Sequence, residues 1–315
     1  MRTSLTMLAI GAALLLGSQA ATAATVTIPG DHVFPESMTA TKDGTLYFGS
    51  IGEGAIFRSP PGAATAQLFV KPNANLRSVT GVLADEKSNT LYACTNDWGM
   101  FGVTTPGGKG PPALKAFDLK TGADKGTYVF PGNAGFCNDI AVGRDGAAYV
   151  TDSVMPRVLR LKPGAKALEV WVQNPIFGTK GINLDGIAFG SDGALYVTGF
   201  GESKIFKIEV GNDMRAGAVN ELAPISNVVN PDGFRPLAGG AGNQFLLAEG
   251  GHISLVTVDG PQFSSRVLGD APGAVGVAQH GKTGWVVSGQ LNHLFDPKLK
   301  GKKPDPFTAH TVTLP

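Results

Sequence analysis

The sequence carries little charge and almost no cysteine. Only 16% of its 315 residues are charged, and the formal net charge is +1. A nucleic-acid-binding protein would normally show a basic face, whereas the one basic stretch here, KLKGKKPDP near the C-terminus, is typical of a solvated loop. The two cysteines, Cys94 and Cys137, are too few for a disulfide scaffold and lack the C-x-x-C spacing of a metal site. We therefore expect no nucleic-acid partner, and the cysteines form either two buried thiols or one disulfide bond.

Long apolar runs are also missing, apart from one at the N-terminus. Residues 1–23 contain a basic residue, Arg2, then an apolar stretch from Leu8 to Leu16, then small residues ending at Ala23. This order is that of a secretory signal peptide with its cleavage site. No second run of about 18 apolar residues follows, so no membrane span is expected. We predict a signal peptide over 1–23 and a single domain over 24–315, exported to the periplasm or secreted.

Helical periodicity and the common catalytic motifs are absent as well. No window of useful length repeats apolar residues at i, i+3, i+4 and i+7. The chain has no G-x-S-x-G elbow, and its five histidines lack H-E-x-x-H spacing, although His252 and His280 would matter if they faced a ligand. GVAQHGKT, residues 276–283, matches the phosphate-loop pattern, but the strand-like GWVVSG follows it where a helix is needed. We therefore interpret residues 276–283 as a hairpin turn.

What the chain does contain is a repeated hairpin. NLDGIAFGSDGALYVTG, residues 183–199, aligns with CNDIAVGRDGAAYVTD, residues 137–152, at a shift of 47 positions. Further copies begin elsewhere, and each unit holds four short strand-like runs separated by Gly-containing turns. The residues in equivalent register are Glu36, Thr80, Asn138, Asp185, Asp232 and Ala274 (or a neighbour of Ala274). Six such units predict an all-β, six-bladed β-propeller with four antiparallel strands per blade, closed by pairing of TVTIP near the start with HTVTLP at the end.

The register positions predict a metal site. The first strand of every propeller blade lines the central channel, so these positions form a ring, and four of them carry side-chain oxygens: Glu36, Asn138, Asp185 and Asp232. Three carboxylates in a narrow channel repel one another unless a cation lies between them. Hard oxygen donors favour Ca²⁺ first, then Mg²⁺ or Mn²⁺, with Zn²⁺ a further alternative and a structural zinc site disfavoured. Turn-forming Asx side chains could explain each residue alone, but not their common register.

The motifs around these positions resemble a known family. PES at Glu36, ND at Asn138, DGIAF at Asp185 and PDG at Asp232 are similar to the senescence-marker-protein/gluconolactonase/regucalcin family. The resemblance implies a calcium-dependent or other divalent-metal-dependent hydrolase, most often a lactonase, with Glu, Asn, Asn and Asp as ligands in blade order. Asp185 stands where the family usually has Asn, which adds a negative charge and leaves Asn183 as a fallback ligand.

Three functions follow as hypotheses. The first is hydrolysis of a small-molecule lactone or related ester by a monomer, with Asp232 as both metal ligand and general base or nucleophile. The second is a non-catalytic exported propeller whose metal only holds the blades together. The third is a lyase or a strictosidine-synthase-like enzyme on the same frame. Trp98 lies in a long Gly- and Pro-rich loop, NDWGMFGVTTPGGKGPP, which either covers the channel mouth or is a surface excursion, and Trp98 itself either walls a pocket or covers the core edge.

Overall fold

The computed structural model describes residues 24–73, 76–178, 181–299 and 301–315, so the predicted signal peptide lies outside the described residues. The described strands form six sheets around one axis, which confirms the six-bladed propeller. The chain starts with β1 (Thr25–Ile28). Blade one comprises β2 (Pro35–Ala40), β3 (Leu46–Ser50), β4 (Ala55–Ser59) and β5 (Gln67–Val70). Blade two comprises β6 (Val79–Asp85), β7 (Thr90–Thr95), β8 (Ala113–Asp118) and β9 (Asp124–Val129). Blade three comprises β10 (Cys137–Val142), β11 (Ala148–Asp152), β12 (Arg157–Leu161) and β13 (Glu169–Gln173).

The second half of the chain repeats the same four-stranded plan. Blade four comprises β14 (Leu184–Phe189), β15 (Leu195–Gly199), β16 (Lys204–Val210) and β17 (Ala216–Glu221). Blade five comprises β18 (Ala223–Pro224), β19 (Phe234–Pro236), β20 (Asn243–Glu249), β21 (His252–Asp259) and β22 (Gln262–Asp270). Blade six comprises β23 (Ala274–His280), β24 (Thr283–Ser288) and β25 (Phe307–Thr313), together with β1. Blade five carries the short β18 as an additional strand, parallel to β22. Strands β23 and β24 form a hairpin, as expected for the phosphate-loop look-alike.

The ring closes where the two ends of the chain meet. Strand β1 pairs antiparallel with β25 as the outermost strand of blade six, with Thr25 opposite His310 and Ile28 opposite Phe307. This pairing confirms the closure predicted from the two strand-like termini. One strand from each end of the chain thus completes blade six, with β1 as its outermost strand.

Helical structure is limited to short turns. The 3₁₀ turns are Trp98–Phe101, Pro131–Asn133 and Pro175–Phe177, and the one short helix among the described residues is α1 (Asn292–Phe295). Within the described chain, no helix has the length and apolar character needed to cross a bilayer. Two of these turns, Trp98–Phe101 and α1, lie at the same end of the propeller, because both contribute walls to one cavity.

The Asp-Gly hairpins of blades three and four share one hydrogen-bond pattern. In blade three, Asp145 accepts from the backbone N–H of Ala147 at 3.1 Å and from the hydroxyl of Tyr149 at 3.1 Å, while Gly146 takes a positive φ of 76°. In blade four, Asp192 accepts from Ala194 and from Tyr196 in the same way. In these two blades the tyrosine therefore fastens the second strand of the hairpin to the turn that precedes it, whereas Tyr47 of blade one donates to the carbonyl of Leu119 instead.

A disulfide bond joins two neighbouring blades. Cys94 in β7 is bonded to Cys137 in β10, with their Cα atoms 5.2 Å apart, so the second of the two alternatives for the cysteines is the correct one. Asn96 strengthens the same junction, because its side chain accepts from the N–H of Cys137 at 2.9 Å and donates to the carbonyl of Cys137 at 2.7 Å. The start of the innermost strand of blade three is thus fixed to blade two.

Candidate active site

The innermost strands are irregular at the ring positions. In β2, β10 and β14 the pairing with the next strand shifts just where Glu36, Asn138 and Asp185 stand, and β6 and β23 shift at the corresponding places. A β-bulge of this kind re-aims a side chain that regular alternation would direct into the sheet. The bulges therefore direct the ring side chains along the channel, towards the end at which the innermost strands begin. We call this end the upper end of the channel.

Glycines beside the ring allow the inner strands to approach one another closely. A Cβ added to Gly81 would lie 2.2 Å from the carbonyl oxygen of Asn138, and one added to Gly186 would lie 2.4 Å from that of Asp232. A Cβ added to Gly233 would likewise lie 2.6 Å from the carbonyl oxygen of Val275. In blade six the ring position is therefore Val275, the neighbour of Ala274.

All four oxygen-bearing residues selected from the sequence line one cavity. Glu36, Asn138, Asp185 and Asp232 come from four different blades and border a cavity of about 340 Å³ at the upper end of the channel. Each of these side chains is buried. The other ring positions contribute nothing to coordination, because the hydroxyl of Thr80 donates to the carbonyl of Cys137 at 2.8 Å and Val275 is apolar. The assignment of the four as metal ligands stays a prediction.

Hydrogen bonds position the polar atoms of the cavity floor. The amide of Asn138 donates to Oδ2 of Asp185 at 3.0 Å and to the hydroxyl of Ser153 at 2.9 Å. Oδ1 of Asp185 is buried and has no hydrogen-bond partner. An unpartnered carboxylate oxygen in a buried position costs free energy, so this atom is available for a ligand.

The three carboxyl groups are protonated more readily than ordinary acids. Burial raises the pKa of Asp185 to about 8, and the negative charge of Asp139 adds to this effect. Burial likewise raises the pKa of Glu36 well above its usual value, with Asp185 and Asp139 contributing. Burial and the charges of Asp185, Glu36 and Asp139 together raise the pKa of Asp232 well above its usual value. Near neutral pH and without a cation, the cluster therefore holds protons.

The residues fit a hard divalent cation in kind, although they do not form a finished metal centre. Across the described ranges, no three His, Cys, Asp or Glu side chains converge as a metal site by themselves. The arrangement is that of neighbouring acids that favour protonation, because the charge of Asp185 helps to raise the pKa of Asp232. The hard oxygen donors, the unpartnered Oδ1 of Asp185 and the mutual repulsion of three carboxylates are nevertheless the features that a divalent cation would satisfy. Asn183, the fallback ligand, is buried beside the cluster but does not line the cavity.

An ion pair below the ring was not anticipated from the sequence. Asp139 follows Asn138 in β10, and its carboxylate receives two contacts from the guanidinium of Arg235, at 2.5 Å from Nη1 and 2.8 Å from Nη2. Both side chains are buried. Arg235 also donates to the carbonyl of Val82 at 3.3 Å, so it ties blade five to blades two and three. In the repeat, Asp139 occupies the position that is glycine in four other blades.

The neighbouring histidines lie outside the cavity. His252 is at the upper end but pairs with Asp270 at 3.2 Å, and it does not border the acidic cluster. His280 lines a separate depression at the lower end of the channel, together with Arg235. Neither of the two histidines singled out from the sequence is therefore placed to act on a ligand at the ring.

Aromatic side chains form the walls above the acids. Trp98 lies 5.3 Å from Phe136, 5.4 Å from Phe101 and 5.9 Å from Phe295 between ring centroids. All four rings border the cavity, as does Phe200. Trp98 fulfils both alternatives left by the sequence, because it borders the cavity and also packs into the hydrophobic core. Of the long loop before β8, Trp98 and Phe101 border the cavity, whereas Gly107 and Gly110 lie against Arg77.

A larger, more polar groove adjoins the aromatic cavity. The groove has a volume of about 940 Å³ and shares Phe200, Asp232, Leu291 and Asn292 with the cavity. Further along, it is lined by polar side chains of blades five and six: Asn230, Ser288, Gln290, His293, Asp305 and His310. Asp232 therefore stands at the junction of an apolar chamber and a polar groove.

Comparison with known proteins supports the fold. No protein-family model matches the sequence, and no curated protein matches it. The major allergen Mala s 1 of Malassezia sympodialis has a similar structure, with a TM-score of 0.71 at 14% identity over 93% of this chain and 96% of the allergen. A gluconolactonase from Xanthomonas campestris matches with a TM-score of 0.65 at 17% identity over 96% and 94% of the two chains. Virginiamycin B lyase from Staphylococcus aureus matches at 0.61 and 14%, over 93% and 99%.

These likenesses agree with the resemblance seen in the motifs. A gluconolactonase is among the structural neighbours, and this chain has the six-bladed fold expected from that family. Two of the three are named as enzymes, one a lactonase and one a lyase. Because the identities are low, the likenesses describe the fold, and the chemistry has to be argued from the side chains of this chain.

Proposed function

We propose that this protein is a divalent-metal-dependent hydrolase, with Ca²⁺ as the expected cation, that acts on lactones or related esters. One observation carries the proposal. Three buried carboxyl groups and the amide of Asn138, from four separate blades, face one cavity in which Oδ1 of Asp185 lacks any partner. Structural residues rarely leave such an acid unsatisfied, whereas functional sites concentrate buried acids with raised pKa values.

Each group of side chains in the site has its own proposed role. Glu36, Asn138, Asp185 and Asp232 would hold the cation, whose chemistry when bound is to polarise the ester carbonyl and stabilise the oxyanion that develops there. Asn138 is itself held by Ser153, which fixes the direction of its amide. The aromatic walls exclude bulk water from the carbonyl, which strengthens every charge interaction within the site.

Asp232 is the residue assigned to the reacting atoms. It borders both the chamber and the groove, so it can contact the ester group and a water entering from the polar side. As a general base it takes a proton from that water while the water oxygen bonds to the acyl carbon. The acyl C–O bond then breaks, and the same proton passes to the departing alkoxide, giving a hydroxy acid from a lactone. Direct attack by the Asp232 carboxylate is the alternative, and it uses the same side chain.

A substrate panel with and without EDTA tests the proposal. We expect hydrolysis of at least one lactone, ester or phosphotriester in Ca²⁺, loss of activity after EDTA, and its return with added Ca²⁺. Asp232→Asn should keep the fold and lower kcat by at least about 100-fold, the lower end of what a general acid–base group contributes. Asp270→Asn is the matched control, because Asp270 lies in the same blade with an exposed side chain. Activity that Asp232→Asn leaves intact would refute the assignment.

A metal-independent reaction is the second candidate. Asp185 and Asp232 line the same cavity and the charge of Asp185 raises the pKa of Asp232, and such pairs of acids can act as acid and base without a cation. Turnover that survives complete removal of divalent ions would favour this candidate, in line with the lyase alternative. A protein that binds Ca²⁺ but turns over nothing in the panel would instead be a binding propeller.

We further propose that the mature protein is exported, to the periplasm or the medium, and acts as a monomer on a small molecule. The order of basic, apolar and small residues in 1–23 supports export. The disulfide bond between Cys94 and Cys137 is consistent with an oxidising compartment. N-terminal sequencing of the secreted or periplasmic fraction should give a start near Ala24, and an intact Met1 in the cytoplasm would contradict export.

A further inference from the structure

The chamber above the acids is walled almost entirely by apolar side chains. Its walls come from five segments that converge on the upper end of the channel: the loop before β8, the segment before β10, the segment before β14, the connection after β15, and α1 with the residue before it. The apolar residues are Trp98, Phe101, Phe136, Ile182, Phe200, Leu291 and Phe295. Such a concentration of rings over a reactive group indicates what kind of molecule fits there.

The aromatic wall is formed before any ligand arrives. Trp98 is held edge-on by Phe136 and at a tilt by Phe101, and its face is stacked on Phe295 with an angle of 26° between the ring planes. Trp98 and Phe136 are buried, whereas Phe295 is 46% exposed and forms the rim. A flat apolar group that enters beside Phe295 therefore meets rings already in place, which lowers the ordering cost of binding.

Polar partners for a substrate are scarce in this chamber. Among the residues described, the polar side chains on the wall are Glu36, Asn138, Asp185, Asp232 and Asn292, and the first four are committed to the reacting centre. The indole N–H of Trp98 is buried and has no hydrogen-bond partner. No lysine or arginine lines the described part of the wall, so nothing there neutralises an anionic substrate.

From this geometry we infer that the chamber takes a neutral, apolar, ring-bearing lactone or ester and discriminates against polyhydroxylated sugar lactones. The inference rests on the proposed hydrolase function. A sugar lactone carries a hydroxyl on almost every ring carbon, and each one buried without a partner carries a desolvation penalty. An apolar ring instead gains free energy from each methylene that it buries.

The groove next to the chamber completes this description of the substrate. Asp232 and Asn292 belong to both, and the groove continues over polar side chains such as Gln290 and His293. Hydrolysis turns a neutral lactone into a product with a hydroxyl and a carboxylate. The polar end of that product has partners in the groove, while its apolar end stays against Trp98 and Phe295. The division into an apolar and a polar compartment thus suits an apolar lactone and its hydroxy-acid product.

Two six-membered lactones provide the kinetic test: dihydrocoumarin, with a fused aromatic ring, and glucono-δ-lactone. Using the mature protein in Ca²⁺, we expect kcat/KM to be at least about 10-fold higher for dihydrocoumarin, which is the effect of one unpaired hydroxyl. Trp98→Ala and Phe295→Ala should raise KM for dihydrocoumarin with little change in kcat. Trp98→Phe keeps an aromatic ring but loses the N–H and part of the indole's apolar area, so its KM should rise less than that of Trp98→Ala. Val267→Ala, an exposed position in blade five, is the control.

A binding measurement separates this inference from the proposed function. The lactam analogue of dihydrocoumarin resists hydrolysis, and its binding can be followed in EDTA by calorimetry. We expect binding that Phe295→Ala weakens several-fold and Val267→Ala does not. If no lactone is hydrolysed but the lactam still binds in this way, the hydrolase proposal fails and the apolar chamber stands. Preference for glucono-δ-lactone, or lactam binding that is absent or insensitive to both ring variants, would overturn the inference.

Discussion

Replacing Arg235 by methionine should destabilise the whole propeller. Arg235 is 8% exposed and Asp139 is 3% exposed, and their two contacts cross the channel between blades five and three. Burial alone lowers the pKa of Arg235, but the charge of Asp139 outweighs it and the pKa lies above the ordinary value, so the guanidinium is charged. Methionine has a similar length and no charge. It leaves Asp139 with only a 3.4 Å contact from the N–H of Ile187.

The expected loss of stability follows from the carboxylate of Asp139, which the substitution leaves without its partner. Breaking a buried ion pair by removing one partner costs about 3–5 kcal/mol, because the remaining charge is uncompensated. Three other acids above it make the environment more negative still, since Glu36 and Asp185 both interact with the same guanidinium. For a chain of roughly 290 residues, the unfolding entropy of about 2 cal/mol/K per residue converts this loss into a fall in Tm of about 5–8 °C.

Urea denaturation of the wild type, Arg235→Met, Asp139→Asn and the double variant measures the effect as a cycle. Each single variant leaves one buried charge unpaired, whereas the double variant leaves none. The double variant should therefore lose clearly less stability than the sum of the two single losses, with a coupling of at least about 2 kcal/mol. If Arg235→Met loses less than about 1 kcal/mol, or if the single losses simply add, then the pair does not stabilise the propeller in the way argued here.

Two further predictions concern the cation and the disulfide bond. Because burial raises the pKa of Asp185 to about 8 from an unfolded value near 4, the calcium-free folded state holds a proton that the unfolded chain has lost, so its stability should fall as pH rises between those values. Added Ca²⁺ must displace such protons and should raise Tm more at pH 8 than at pH 5.5, which differential scanning calorimetry can check; equal gains would contradict the metal assignment. Replacing both Cys94 and Cys137 by alanine removes a cross-link between residues 43 positions apart and should cost about 4 kcal/mol in urea denaturation. A loss below about 1 kcal/mol would mean that Asn96 and the sheet contacts hold this junction unaided.

The fold was predictable because its signals are local. The Asp-Gly turn, the tyrosine that bonds to it and the strand that follows lie within a few residues of one another, as with Asp145 and Tyr149. Repetition of this unit fixes the number of blades and the register of the inner strands. The ring then follows from symmetry alone, which is how Glu36, Asn138, Asp185 and Asp232 could be selected without any structure. In blade six the register was ambiguous by one residue, since Ala274 and Val275 are both small and apolar.

The features that the sequence did not reveal depend on contacts between distant parts of the chain. Asp139 and Arg235 are 96 positions apart. Asp139 directly follows Asn138 and Arg235 lies three residues after Asp232, so the ring residues explained both motifs without the pair. A signal was present, however, because the residue after the ring position is glycine in blades two, four, five and six but aspartate in blade three. The aromatic chamber has no such signal. Its rings come from connections that obey no repeat, and α1 in particular lies outside the strand pattern.

The charges around the channel explain why the acids can coexist at all. Glu36, Asp139, Asp185 and Asp232 would carry four negative charges if all were ionised, and Arg235 compensates one of them. Asp139 uses the arginine, so the three acids of the cavity must find other compensation: protons, which their raised pKa values indicate, or a divalent cation. A cation would replace at most about two of these charges, and one acid would then remain free to take up a proton. On this reasoning Asp232, at the junction of chamber and groove, is the acid best placed to exchange that proton with water.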